Sequence, residues 1–200
     1  WTTTDTFLSH GSSSDLWGET WTVSNINASN FGFVIAAYDA CPSLCTDAAG
    51  ANAFVDHVRI TITYTPANTA PSFTAGPSDG GSSSATPTKA GNNVIFTATA
   101  TDAESDNYYL AICKTNSATA NNNAAPTCPG GSWAVSSSTT SGSQASISYT
   151  TSASDSGSQA WFAFVCDHDA SSLCSSSSQG SGDGSSPFVV VKGGGGGGGG

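Results

Sequence analysis

The sequence predicts an all-β protein: two β-sandwich domains in tandem, with almost no helix. Three observations carry that expectation. No apolar pattern is sustained at 3.6-residue spacing, and the abundant Ser, Thr, Asn and Gly are poor helix formers. Short apolar runs recur instead, separated by Ser, Gly and Asn turns, as in a sandwich or barrel. A stiff connector, Pro66-Ala67-Asn68-Thr69-Ala70-Pro71, separates a module over 1–65 from a sandwich over 72–192.

In chain order, the first strands are expected near 16–23 and 31–38. The clearest runs from Phe54 to Thr65. Phe54, Val58, Ile60, Ile62 and Tyr64 share one face, and Val55, His57, Arg59, Thr61 and Thr63 the other. That alternation marks a half-buried antiparallel strand. The module over 1–65 is small for a complete sandwich. It reads as incomplete, or as complemented by a strand from a neighbouring chain, since an open edge needs something to fill it. In the second unit strands are expected near 94–101, 107–114, 145–150, 160–166 and 187–191. Gly193 to Gly200 read as a flexible tail or as unassigned residues.

Composition narrows the function. Fourteen acids against four bases give a formal charge of −10. That excludes a nucleic-acid partner, which needs a basic face, and docking on anionic lipid. Charged residues are only 9% of the chain, well below the roughly 25% of ordinary soluble domains. Such a neutral surface suits a secreted surface protein. The 19 aromatic residues sit in alternating runs, which argues against plain disorder. The sequence starts at Trp1 without Met, which reads as a processed product or a fragment of something longer. No apolar run is long enough for a membrane helix.

Six cysteines allow 15 pairings. Proximity favours Cys41 with Cys45, Cys113 with Cys128, and Cys166 with Cys174. Disulfides imply an oxidising compartment. A zinc site is disfavoured: there is no CxxC, and His10, His57 and His168 are isolated. Those histidines read as structural.

Chemistry concentrates between residues 94 and 113. Asp102, Glu104 and Asp106 lie within five residues, between two strand-like runs. Crowded carboxylates are costly unless a cation or backbone N–H groups neutralise them. With so few bases in the chain, the cluster reads either as a site for a hard cation such as calcium or as an acidic loop exposed to solvent. A glycosidase carboxylate pair is disfavoured, because no aromatic-walled cleft is evident. No GxSxG elbow occurs, and no His and Asp are arranged to serve a nucleophile, so no catalyst is expected. Trp17, Trp21, Phe31, Trp133 and Trp161 suit core packing better than a sugar-stacking platform. Asn27-Ala28-Ser29 is a glycosylation sequon at Asn27.

Two family resemblances follow from particular residues. Asp15-Leu16-Trp17-Gly18, Trp21-Thr22, Asn25-Ile26-Asn27 and Asn30-Phe31-Gly32-Phe33, leading into Val55 to Tyr64, resemble the β-sandwich modules of large bacterial surface proteins. Such modules are regarded as lectin-like or jelly-roll-like stalk or adhesion units. Ala70-Pro71-Ser72, Phe96 to Asp106, Tyr109 to Lys114 and Ala160 to His168 resemble Ig-like or cadherin-like repeats of long secreted bacterial proteins. Related repeats carry a further cysteine pair near Ala134 and Ile147, which is missing here.

The second resemblance implies that the loops after 94–101 and 160–166 share one pole. Asp102, Glu104 and Asp106 would then meet Asp167 and Asp169 where the linker arrives, as in a calcium-stiffened joint. Asn68 and backbone carbonyls would complete the shell. The expected function is a structural subunit of an extracellular cell-surface stalk, fibre or filament, adhesive or purely structural. Its partners would be copies of itself, joined head-to-tail or by strand exchange. The alternatives are a glycan-binding module of an adhesin or secreted enzyme, and a phage appendage protein.

Overall fold

The computed structural model describes residues 9–34 and 57–193. The chain divides into two compact units, 1–65 and 66–200.

In the first unit the described residues hold one short helix, α1 (Val23–Ile26), where the sequence suggested a strand near 16–23. The local reason is polar. Asp15 Oδ1 accepts from the Trp17 amide at 2.8 Å, and Trp17 turns into the left-handed region at φ 55°. Thr22 then caps the helix reciprocally with Asn25. The expectation of a strand over 54–65 also fails in its described part: no strand forms over 57–65. Val58, Ile60, Ile62 and Tyr64 are 45–77% exposed. Alternation assigns side chains to faces but does not by itself fix a strand. The expected strand at 31–38 is not formed over 31–34, and its remainder, like Cys41 and Cys45, lies outside the described residues.

The regular structure of the second unit is almost entirely strand. Its elements are β1 (Ser72–Ser78), β2 (Thr88–Lys89), β3 (Asn93–Thr101), β4 (Tyr108–Cys113), β5 (Thr119–Asn121), β6 (Ala124–Thr127), β7 (Ser132–Val135), β8 (Gln144–Thr150), β9 (Gly157–Gln159), β10 (Phe162–Asp167) and β11 (Phe188–Val191). One sheet runs β1-β3-β8 and a second β10-β4-β7. A third runs β2-β11-β9, and β5 pairs with β6. β11 lies parallel to β2 and antiparallel to β9. The side of β10 away from β4 is taken by the segment that follows it. Ala163 and Ser178 exchange backbone bonds of 2.8 and 2.9 Å there.

Alternation explains β3, where Val94, Phe96, Ala98 and Ala100 point inward. β4 is buried at every position, so its run YYLAIC needs no polar face. The core joins Phe96, Tyr108, Leu110, Ile112, Trp161 and Phe188, all at 0% exposure. Phe96 meets Trp161 and Phe188 edge-on at 5.6 and 5.9 Å. Each such side chain contributes about 1.5–3 kcal/mol on burial. Trp161 is a core residue, and Trp133 packs against the core with Lys114 Nζ 4.2 Å above its ring.

Cys113–Cys128 and Cys166–Cys174 are bonded. The first ties β4 to the chain after β6, and the second closes the loop after β10. Two disulfides fit an oxidising compartment. Among the described residues no helix is long and apolar enough to cross a membrane.

Candidate metal centre

One pole of the second unit gathers the acidic residues. β3 ends at Thr101, so Asp102 begins the loop to β4. β10 ends at Asp167, and Asp169 follows in the next loop. The linker Pro66–Pro71 arrives at the same pole, because Ser72 of β1 pairs with Thr101. Ser105 turns the first loop at φ 68°.

Each carboxylate has defined company. Asp102 is 7% exposed, and its Oδ1 accepts from the amides of Glu104 (2.9 Å) and Asp106 (3.1 Å). Glu104 Oε2 accepts from the Thr69 amide at 3.2 Å and the Thr69 hydroxyl at 2.7 Å. Asp167 is fully buried: Oδ1 accepts from the Leu173 amide at 2.7 Å and Oδ2 from Asn68 Nδ2 at 2.8 Å. Asp169 Oδ1 accepts from the Ala170 amide. The Asp106 carboxyl is pushed above its ordinary value, by burial first and then by Asp102, Asp169, Asp167 and Glu104. Asp106 therefore lies within electrostatic reach of the other four acids.

Two buried oxygens there lack a donor: Asn68 Oδ1 and Asp102 Oδ2. The Asn68 amide is oriented by its nitrogen, which donates to Asp167 Oδ2 and to the Ser171 carbonyl at 3.0 Å. Reversing it would face its oxygen against two acceptors. A buried acceptor without a partner costs about 1–3 kcal/mol, more when charged. Two such oxygens among five acids leave a demand that a hard cation meets. The donor set is all oxygen, which suits calcium. Among the described residues no group of three or more His, Cys, Asp or Glu side chains is already arranged to clasp a metal. Binding at this pole therefore requires carboxylates to swing inward from their present hydrogen bonds.

Other expected residues are placed as follows. His168 packs on Tyr109 at 5.2 Å, its Nδ1 lying 3.2 Å from the Ser138 hydroxyl. Asn27 is exposed at the C-terminal cap of α1. In the first unit Trp21 and Phe31 meet edge-on at 5.8 Å. They border a hollow of about 190 Å³ shared with Asn25, Ala28, Asn30 and Gly32.

Two residues escaped sequence reasoning. Thr69 looks like any linker residue, yet it clamps Glu104. Asp79, in the turn-like run Pro77-Ser78-Asp79-Gly80-Gly81, is 2% exposed. It accepts from Trp161 Nε1 at 3.2 Å and from the Gly81 amide at 3.0 Å. Burial raises its carboxyl against those bonds.

No protein-family model, curated protein or solved structure matches the chain.

Proposed function

We propose that the chain is a structural subunit of an extracellular cell-surface stalk, fibre or filament, whose linker is held by calcium at the acidic pole of the second unit. The observation that carries this reading is the pair of donorless buried oxygens, Asn68 Oδ1 and Asp102 Oδ2, amid Glu104, Asp106, Asp167 and Asp169. A cation there would draw Asn68 and the Thr69–Glu104 clamp against the body of the unit. It would convert a chain connection into a stiff one. Extracellular calcium modules work at dissociation constants of about 10⁻⁴–10⁻³ M, a range suited to a structural ion. The two disulfides and the low charge content support an exported protein.

The test is calcium titration by calorimetry, followed by the length of native particles under the electron microscope with and without EGTA. The reading expects saturable calcium binding and long particles that soften or fall apart in EGTA. Absence of calcium binding would remove the metal, and short monodisperse particles would remove the fibre.

A second reading, a glycan-binding module, draws on the hollow between Trp21 and Phe31 with two flanking asparagine amides. Aromatic faces and amides suit a neutral sugar. Quenching of tryptophan fluorescence by a panel of oligosaccharides, lost in Trp21→Ala, would favour it.

A further inference from the structure

The second unit leaves one long strand edge unguarded. Edge strands invite pairing, and proteins blunt them with prolines, charges, bulges or brevity. Most edges here are blunted. β1 contains Gly76-Pro77 and two register breaks. β7 is four residues long with a break of its own. The outer side of β10 is occupied by the segment through Ser178. β2 and β9 have two and three residues. β8 is different. Its seven residues stay in unbroken register with β3, from Asn93↔Thr150 to Thr99↔Gln144, and among the described residues it pairs on that side alone. Its sequence, QASISYT, holds no proline, glycine or charge.

Charge says what fills that edge. The chain carries −10, so two copies repel each other over most of their surface. Yet no residue of β1, β3 or β8 is charged. The strands of this sheet present no like charge to a second copy, and a basic partner would be drawn to the acidic pole instead. The exposed side chains along β8 are Gln144, Ser146, Ser148 and Thr150, which are short or neutral and obstruct nothing.

We propose that the free edge of β8 pairs antiparallel with β8 of a second copy, about a twofold axis at Ile147, making one continuous six-stranded sheet. In that register Ser146 lies opposite Ser148 of the copy, and Ala145 opposite Tyr149. The contact is isologous and closes on itself. Main-chain bonds supply the affinity, as in other strand additions. The inference uses the second unit alone and does not depend on calcium or on the fibre.

The experiment is sedimentation velocity of the full chain in EGTA, from micromolar to millimolar concentration. Wild type is expected to form dimers. Ser146→Lys with Ser148→Lys puts like charges across the axis and should weaken association about tenfold or more. Ser146→Glu with Ser148→Glu should do the same. An equimolar mixture of the two variants should associate again. Thermal melts check that both remain folded, and Ser148→Lys alone serves if a double variant does not. A wild type that stays monomeric throughout would overturn the proposal. So would lysine variants that associate as well as wild type, or a mixture that stays monomeric. Association through an unrelated face would show itself in the second of these results.

Discussion

Replacing Asp102 by Asn should invert the order of stability between calcium and EGTA. The substitution keeps Oδ1 as acceptor for the amides of Glu104 and Asp106. It replaces the donorless Oδ2 with an NH₂ group that can donate to the surrounding carboxylates. In EGTA the variant thus sheds an unsatisfied buried acceptor and one of five crowded charges. The first change alone is worth about 1–2 kcal/mol, within the range for a buried acceptor left without a donor. For a unit of this size that is a rise of roughly 3–10 °C in Tm. In calcium the order reverses. Wild type gains about 2.7 kcal/mol at a hundredfold excess over the dissociation constant, and the variant, missing a charged ligand, gains little. Differential scanning calorimetry of both proteins in both buffers reads all four values. If Asp102→Asn is less stable than wild type in EGTA, Oδ2 is already served by a donor and the argument for a cation fails. If the variant keeps the full calcium gain, Asp102 is no ligand.

Acidity should help before it harms. Asp79, raised above its ordinary value of 3.8 by burial, and Asp106, raised by burial and neighbouring acids, hold protons more tightly folded than unfolded. Stability in EGTA should therefore increase as pH falls through their raised folded values toward the ordinary 3.8, and a urea midpoint that only falls on the way down from neutrality would refute it. Asp155 is only partly buried, and the Ser152 donors and the Tyr149 hydroxyl outweigh that burial and hold its carboxyl low, so its loss comes only at lower pH. Converting Cys113 and Cys128 to Ala opens a loop of sequence separation 15 and should cost about 3 kcal/mol in guanidinium unfolding. Trp161→Ala should cost about 3–5 kcal/mol. Trp161→Phe keeps most of the packing but removes the Nε1 donor from Asp79, and should cost about 1–3 kcal/mol by the same measurement.

The sequence was most legible where one strand carries its own pattern. β3 and β8 alternate along their length, and β4, β10 and β11 are apolar enough to announce themselves. β1 was not legible: Ser72–Ser78 contains Gly76 and Pro77, and it is a strand because β3 lies beside it. Short β2, β5, β6, β7 and β9 depend likewise on neighbours that a local pattern does not encode. The run 57–65 shows the converse, with a strong pattern and no strand. At the acidic pole the five carboxylates were legible because they fall at the end of β10 or in the loops that follow β3 and β10. The Thr69 clamp and the buried Asp79 were not, since both arise only when distant segments close on one another.

The placement of β1 and β11 also decides how the second unit bears load. β1 begins beside Thr101, at the acidic pole. β11 ends at Val191, whose carbonyl accepts from the Ala90 amide at 2.8 Å, just ahead of the start of β3 at the other pole. Tension between Ser72 and Val191 therefore runs along the strands. It slides β1 against β3, and β11 against β2 and β9, so the backbone bonds of each ladder resist together rather than opening one after another. Pulled in this direction, the domain yields by shear and not by peeling.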